Sequence, residues 1–94
     1  MISLIIPSYN EEKRIVSTLQ EYYKFFEKRG EDFEILVVAN NCTDKTPQIV
    51  RDFSASKKRS RLYNIPGKIG KGVAIKIGFK KSKGDWACFV DADN

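Results

Sequence analysis

The sequence predicts a three-layer α/β fold built on a parallel sheet. Two observations carry that prediction. Four short apolar runs of strand type alternate with three stretches of helical character, in the order β-α-β-α-β-α-β. Strands that alternate with helices are joined by right-handed crossovers and form a parallel sheet covered by helices. The first run, Ile2 to Ile6, is also continuously apolar rather than alternating, as in a strand buried on both faces.

Each element has its own signal. After Ile2 to Ile6, the residues Ile15, Leu19, Tyr22 and Phe26 recur at intervals of four, three and four, one face of an amphipathic helix. Asn10 is expected to cap that helix, with Glu11 and Glu12 in its positive first turn. Gly30, after Lys28 and Arg29, is expected to end it. Glu34 to Val38 is the second strand, and Thr46-Pro47 opens a second helix with Ile49, Val50 and Phe53 on its apolar side. Arg61 to Ile65 is a weaker third strand. A third helix is expected from about Gly70 to Gly72 onward, with Val73, Ile77 and Phe79 or the Lys80 stem facing inward. A turn at Lys83-Gly84-Asp85 precedes the fourth strand, Trp86 to Val90, expected to be buried.

Composition narrows the chemistry. Ninety-four residues with 41% hydrophobic content make one globular unit. The longest apolar runs are far below the ~20 residues that span a bilayer. The first strand begins without a basic leader, so the chain is expected to be cytoplasmic, with membrane association only through parts beyond it. The net charge of +5 includes a cluster at Lys57, Lys58, Arg59 and Arg61. With only Tyr63 nearby, that cluster reads as a solvated loop, and nucleic acid is not an expected partner. Two cysteines, Cys42 and Cys88, lack metal-site spacing, and histidine is absent. Any chemistry therefore runs on carboxylates, lysines, amides and a metal ion.

In an open α/β sheet, ligands bind beyond the carboxyl ends of the strands. The four loops there read Pro7-Ser8-Tyr9-Asn10-Glu11, Ala39-Asn40-Asn41-Cys42-Thr43-Asp44, Pro66 to Gly72, and Asp91-Ala92-Asp93-Asn94. Asp91 and Asp93 repel each other unless a cation neutralises them, and hard oxygen ligands of this kind suit Mg²⁺ or Mn²⁺. A pair of solvated turn aspartates fits the same short pattern. Lys68 and Lys71 lie in a glycine-containing stretch before a helix, suited to phosphate and equally to a plain helix-leading loop. That stretch is neither a Walker A loop nor a dinucleotide fingerprint. Tyr9 could stack on a base or pack on the sheet edge. Asn40 could meet a base edge or serve turn chemistry, and Asp44 is expected to brace the second helix.

Taken together, the loops resemble family 2 glycosyltransferases of the GT-A fold, the group that includes the dolichyl-phosphate mannosyl- and glucosyltransferases. The matching pieces are Ile5-Ile6-Pro7-Ser8-Tyr9-Asn10-Glu11-Glu12, Glu34 to Val38 with Thr43-Asp44-Lys45-Thr46, Gly70-Lys71-Gly72 with Ala74 and Gly78, and Gly84-Asp85 leading to Asp91-Ala92-Asp93. They cover essentially the whole chain in order. The resemblance implies a Rossmann-like nucleotide-binding half of a GT-A domain over residues 1–94. It implies a nucleoside pocket lined by Pro7, Tyr9 and Glu11 with Val38 beside it, and Asn40 against the base. Asp91, Ala92 and Asp93 would handle the diphosphate of a UDP- or GDP-linked sugar with Mg²⁺ or Mn²⁺, for inverting transfer.

Two departures from the family pattern bear on function. Ala39-Asn40-Asn41-Cys42 stands where the family commonly has Asp-Asp-Gly-Ser, so the residue facing the base is a neutral amide that both donates and accepts. The family also continues well past its D-x-D motif, into the acceptor site and the general base. No base is assigned here, and this chain alone is expected to be inactive. A non-catalytic nucleotide-binding or interaction module is the alternative. The last strand is expected to leave an unpaired edge that favours a homodimer. A nucleotidyltransferase would want a Gly-rich, Arg-containing loop after the first strand, which Pro7-Ser8-Tyr9-Asn10 does not supply.

Overall fold

The computed structural model describes residues 1–92; Asp93 and Asn94 lie outside the described residues. In chain order the elements are β1 (Ile2–Ser8), α1 (Ile15–Arg29), β2 (Phe33–Asn40), α2 (Thr46–Ser56), β3 (Ser60–Ile65), α3 (Gly70–Lys81) and β4 (Trp86–Phe89). The strands form one parallel sheet in the order β3-β2-β1-β4. Alternate residues of the two central strands feed opposite faces. Leu4, Ile6, Ile35 and Val37 pack with Ile15, Leu19, Tyr23 and Phe26 of α1 and Val50 of α2. Ile5, Leu36 and Val38 face the other way, onto Ala74 of α3. These are the three layers expected from the alternation.

Three local expectations are corrected. Helix α1 begins at Ile15, with Arg14 at its N-cap, so Asn10 does not cap it and Glu11 and Glu12 precede it. The cause is that Asn10 is used elsewhere: it takes a left-handed backbone (φ 50°) and its side chain bonds the neighbouring loop. The stop at Gly30 is as expected, left-handed at φ 70°.

Helix α3 presents Ala74 and Gly78 to the sheet and leaves Val73 and Phe79 exposed. A large-residue stripe misidentifies this face because the contact is made by absence. A Cβ on Gly78 would overlap Ile5 Cγ2 and stand 3.3 Å from Val38 Cγ2, so only glycine lets the helix backbone approach this closely.

The fourth strand is also not buried. It lies at the sheet edge with all four residues exposed, Trp86 at 76%. The expectation of an unpaired edge thus agrees with the described sheet.

Candidate functional site

The chain runs from β1 through β2 to β3, then returns by α3 across the other face to β4 on the far side of β1. The connection therefore reverses direction between β1 and β4, and ligands of open α/β sheets bind outside the carboxyl ends of strands at such a switch.

The first two loops at that edge are tied together. Asn10 Oδ1 accepts from the Thr43 amide at 2.8 Å and the Asp44 amide at 3.2 Å, while its Nδ2 donates to Thr43 Oγ1. The Cys42 thiol donates to the Ser8 carbonyl and accepts from the Asn10 amide. The Glu11 amide donates to the buried Thr46 hydroxyl at 2.9 Å. Asp44 accepts from the Thr46 and Glu12 amides, bracing α2 as expected and holding the β1–α1 loop as well. Burial raises the Asp44 carboxyl, but the Thr46 hydroxyl and these amides outweigh it and hold the group below its ordinary range. Burial also pushes the Cys42 thiol up, so it serves as a neutral bridge rather than a nucleophile.

Over this frame lies a small cavity of about 90 Å³ lined by Pro7, Ser8, Tyr9, Asn40 and Lys71. Asn40 is one of its lining residues, and the Asn40 Oδ1 itself is closed off from solvent with no hydrogen-bond partner. An unpaired buried carbonyl is costly, and its natural complement is an N–H arriving with a ligand. Tyr9 is exposed beside it, available for stacking. Lys71, in the first turn of α3, forms an ion pair with Asp91 Oδ1 across the switch point. Larger hollows exist, including one of about 450 Å³ lined by Tyr23, Lys24, Phe53 and Lys57, but it lies between α1 and α2.

The structure brings together Pro7, Tyr9, Asn40, Lys71 and Asp91. Val38 is fully buried against α3 and supports the site from below. Glu11 lines a separate hollow with Glu12, Arg14 and Asp44, and its carboxylate lies 3.8 Å from the Arg14 guanidinium. Lys68 is exposed on the loop before α3 and is not among the residues lining the Asn40 cavity. Ala92 is buried in the α1 core, and Asp93 lies outside the described residues.

Sequence reasoning missed Thr18. Its hydroxyl donates to the Ala92 carbonyl at 2.7 Å, so α1 holds the turn that carries Asp91. The available signal was a hydroxyl residue beside Leu19 in an otherwise apolar stripe.

Among the described residues no three His, Cys, Asp or Glu side chains converge on a common metal position. Asp91 nonetheless fits a divalent ion: it is a hard oxygen donor that already holds a cation, the Lys71 ammonium. Such an ion would complete its shell with ligand oxygens.

Comparison with known proteins agrees with this fold. A dolichyl-phosphate beta-glucosyltransferase of Trichomonas vaginalis is 35% identical over 96 residues, covering 97% of this chain and 28% of that protein. S. aureus TarS (1–349), solved in complex with UDP-GlcNAc, superposes with a TM-score of 0.84 at 33% identity, covering 98% of this chain and 26% of that one. The mannosyltransferase PcManGT of Pyrobaculum calidifontis, solved with GDP-Man and Mn²⁺, gives a TM-score of 0.83 at 26% identity over 98% of this chain and 27% of its own. The chain thus spans less than a third of the length of these relatives. No described helix is long and apolar enough to cross a membrane. The glycosyl transferase family 2 model matches residues 3–94, and the chain belongs to that family.

Proposed function

We propose that residues 1–94 are the donor-binding portion of an inverting glycosyltransferase that takes a UDP- or GDP-linked sugar with Mg²⁺ or Mn²⁺. The observation that carries this reading is the cavity at the strand ends lined by Pro7, Tyr9, Asn40 and Lys71, whose Lys71 also pairs with Asp91. Uracil and guanine both present a ring N–H to the Asn40 carbonyl and a carbonyl to the Asn40 amide nitrogen. Tyr9 stacks on the base. The diphosphate lies toward Lys71, Lys68 and the amides of the first turn of α3. Asp91, together with Asp93, holds the divalent ion, which supplies charge neutralisation at the diphosphate leaving group. The ligands of the solved relatives support this class of donor.

We place acceptor recognition and the general base outside residues 1–94, since the matched region is only 28% and 26% of two relatives' lengths. Cys42 and Cys88 are both free, which fits a reducing, cytoplasmic setting. Calorimetric titration of UDP, GDP and their sugars with and without Mn²⁺ tests the proposal. Metal-dependent binding of at least one diphosphate, without sugar transfer by this chain alone, is expected. Absence of binding, or binding indifferent to Mn²⁺, overturns it.

The exposed β4 edge, with Trp86 and Phe89 in the open, leads us to propose that this chain alone pairs with a second copy along β4. Light scattering should show mass rising toward that of a dimer with concentration, and Trp86→Lys should keep the chain monomeric. A wild-type monomer at high concentration counts against the pairing.

A further inference from the structure

We infer that Lys71 is a built-in counter-ion that occupies Asp91 until a diphosphate draws it away, so that divalent ion and nucleotide bind cooperatively. The inference rests on the donor-site reading above and adds an order to it. Lys71 Nζ pairs with Asp91 Oδ1, and Lys71 is also, with Asn40, one of the residues lining the cavity. One ammonium group thus stands between the place of the base and the carboxylate offered to a metal.

The Asp91 carboxylate that holds the ammonium is the group offered to a divalent ion, so the two cations compete for its charge. Both side chains are about half exposed (57% and 52%), which makes the pair weak and easily exchanged. Lys71 also has room to leave. Gly70 and Gly72 flank it, a Cβ on either would meet nothing within 4 Å, and Gly70 takes a left-handed φ of 75°. A diphosphate entering beside α3 offers the ammonium new oxygens. Asp91 is then released at the moment when phosphate oxygens are present to complete a metal's shell. Coupling of this kind is reciprocal: whatever nucleotide does for metal affinity, metal does for nucleotide affinity.

The test is Mn²⁺ binding to the nucleotide-free chain, read by electron paramagnetic resonance, for wild type, Lys71→Gln and Lys71→Arg. Lys71→Gln is expected to bind Mn²⁺ about three- to fivefold more tightly than wild type, the scale of one exposed ion pair removed. Lys71→Arg, which keeps the charge, should match wild type. Lys71→Gln should in turn bind UDP or GDP more weakly. If Lys71→Gln binds Mn²⁺ no more tightly than wild type, or not at all, the exchange is wrong. If wild-type nucleotide binding is itself indifferent to Mn²⁺, the underlying donor-site reading fails instead, which separates the two.

Discussion

Asp91→Ala is expected to abolish the metal-dependent part of nucleotide binding while leaving the fold intact. The carboxylate projects from the turn after β4 at the switch point, half exposed, with the Lys71 ammonium as its recorded partner. An ion pair that exposed contributes at most about 1 kcal/mol to folding, so the melting temperature should fall by only a few degrees. Binding responds differently. Loss of a carboxylate that anchors a divalent ion against a diphosphate removes an interaction of roughly 3 kcal/mol, about a hundredfold in Kd. Calorimetry with UDP or GDP should show that loss in Mn²⁺, and much less in chelator, where the wild type is already weak. Equal affinity of Asp91→Ala and wild type in Mn²⁺ would remove the metal site from Asp91. A collapse of the melt would mean that the residue serves the fold.

The candidate site was legible because strand ends announce themselves. An apolar run followed at once by Pro7-Ser8-Tyr9, Asn40-Asn41 or Asp91-Ala92 marks both a strand and the edge on which ligands gather, and the parallel order follows from the alternation. What stayed hidden were contacts whose partners are distant in sequence. Asn10 looks like a helix cap locally, yet its side chain is satisfied 33 and 34 residues away. Thr18 reaches Ala92 across 74 residues. Gly78 marks the tightest helix-to-sheet approach by lacking a side chain, which no hydrophobic pattern registers. Glu34 was the most thoroughly hidden. It is the first residue of the expected second strand, and nothing near it in the chain shows that it binds Ser3, Arg61 and Lys83.

Glu34→Gln is expected to be the most destabilising conservative substitution in the chain. The residue lies near the start of β2, 7% exposed, at the end of the sheet opposite the cavity lined by Asn40. Its Oε2 accepts from the Ser3 hydroxyl and the Lys83 amide, each at 2.6 Å, and its Oε1 accepts from Arg61 Nε at 3.1 Å. The Gly84 amide in turn donates to Ser3 Oγ at 2.8 Å. One carboxylate thereby ties β1, β2, β3 and the α3–β4 turn together. Burial pushes its carboxyl up, but the bonds from Ser3, Lys83 and Arg61 and the Arg61 charge together outweigh that and hold it below the ordinary glutamate value. Glutamine keeps the shape but has only one accepting oxygen for three donors, and it turns an N–H₂ toward one of them. Leaving a buried donor unpaired and losing a charge-assisted bond should cost about 2–4 kcal/mol in denaturant unfolding. The sign of the pH dependence follows from the lowered value. The carboxylate's contribution is complete above the unfolded glutamate value of about 4.3 and is lost as pH falls through the lower folded value. The stability gap between wild type and Glu34→Gln should therefore be full at pH 7 and narrow steadily in acid below about pH 4. Carboxylates common to both proteins cancel in that difference. A gap that persists unchanged to pH 2 would show that Glu34 acts through packing alone. No gap at pH 7 would show that the network contributes nothing to folding.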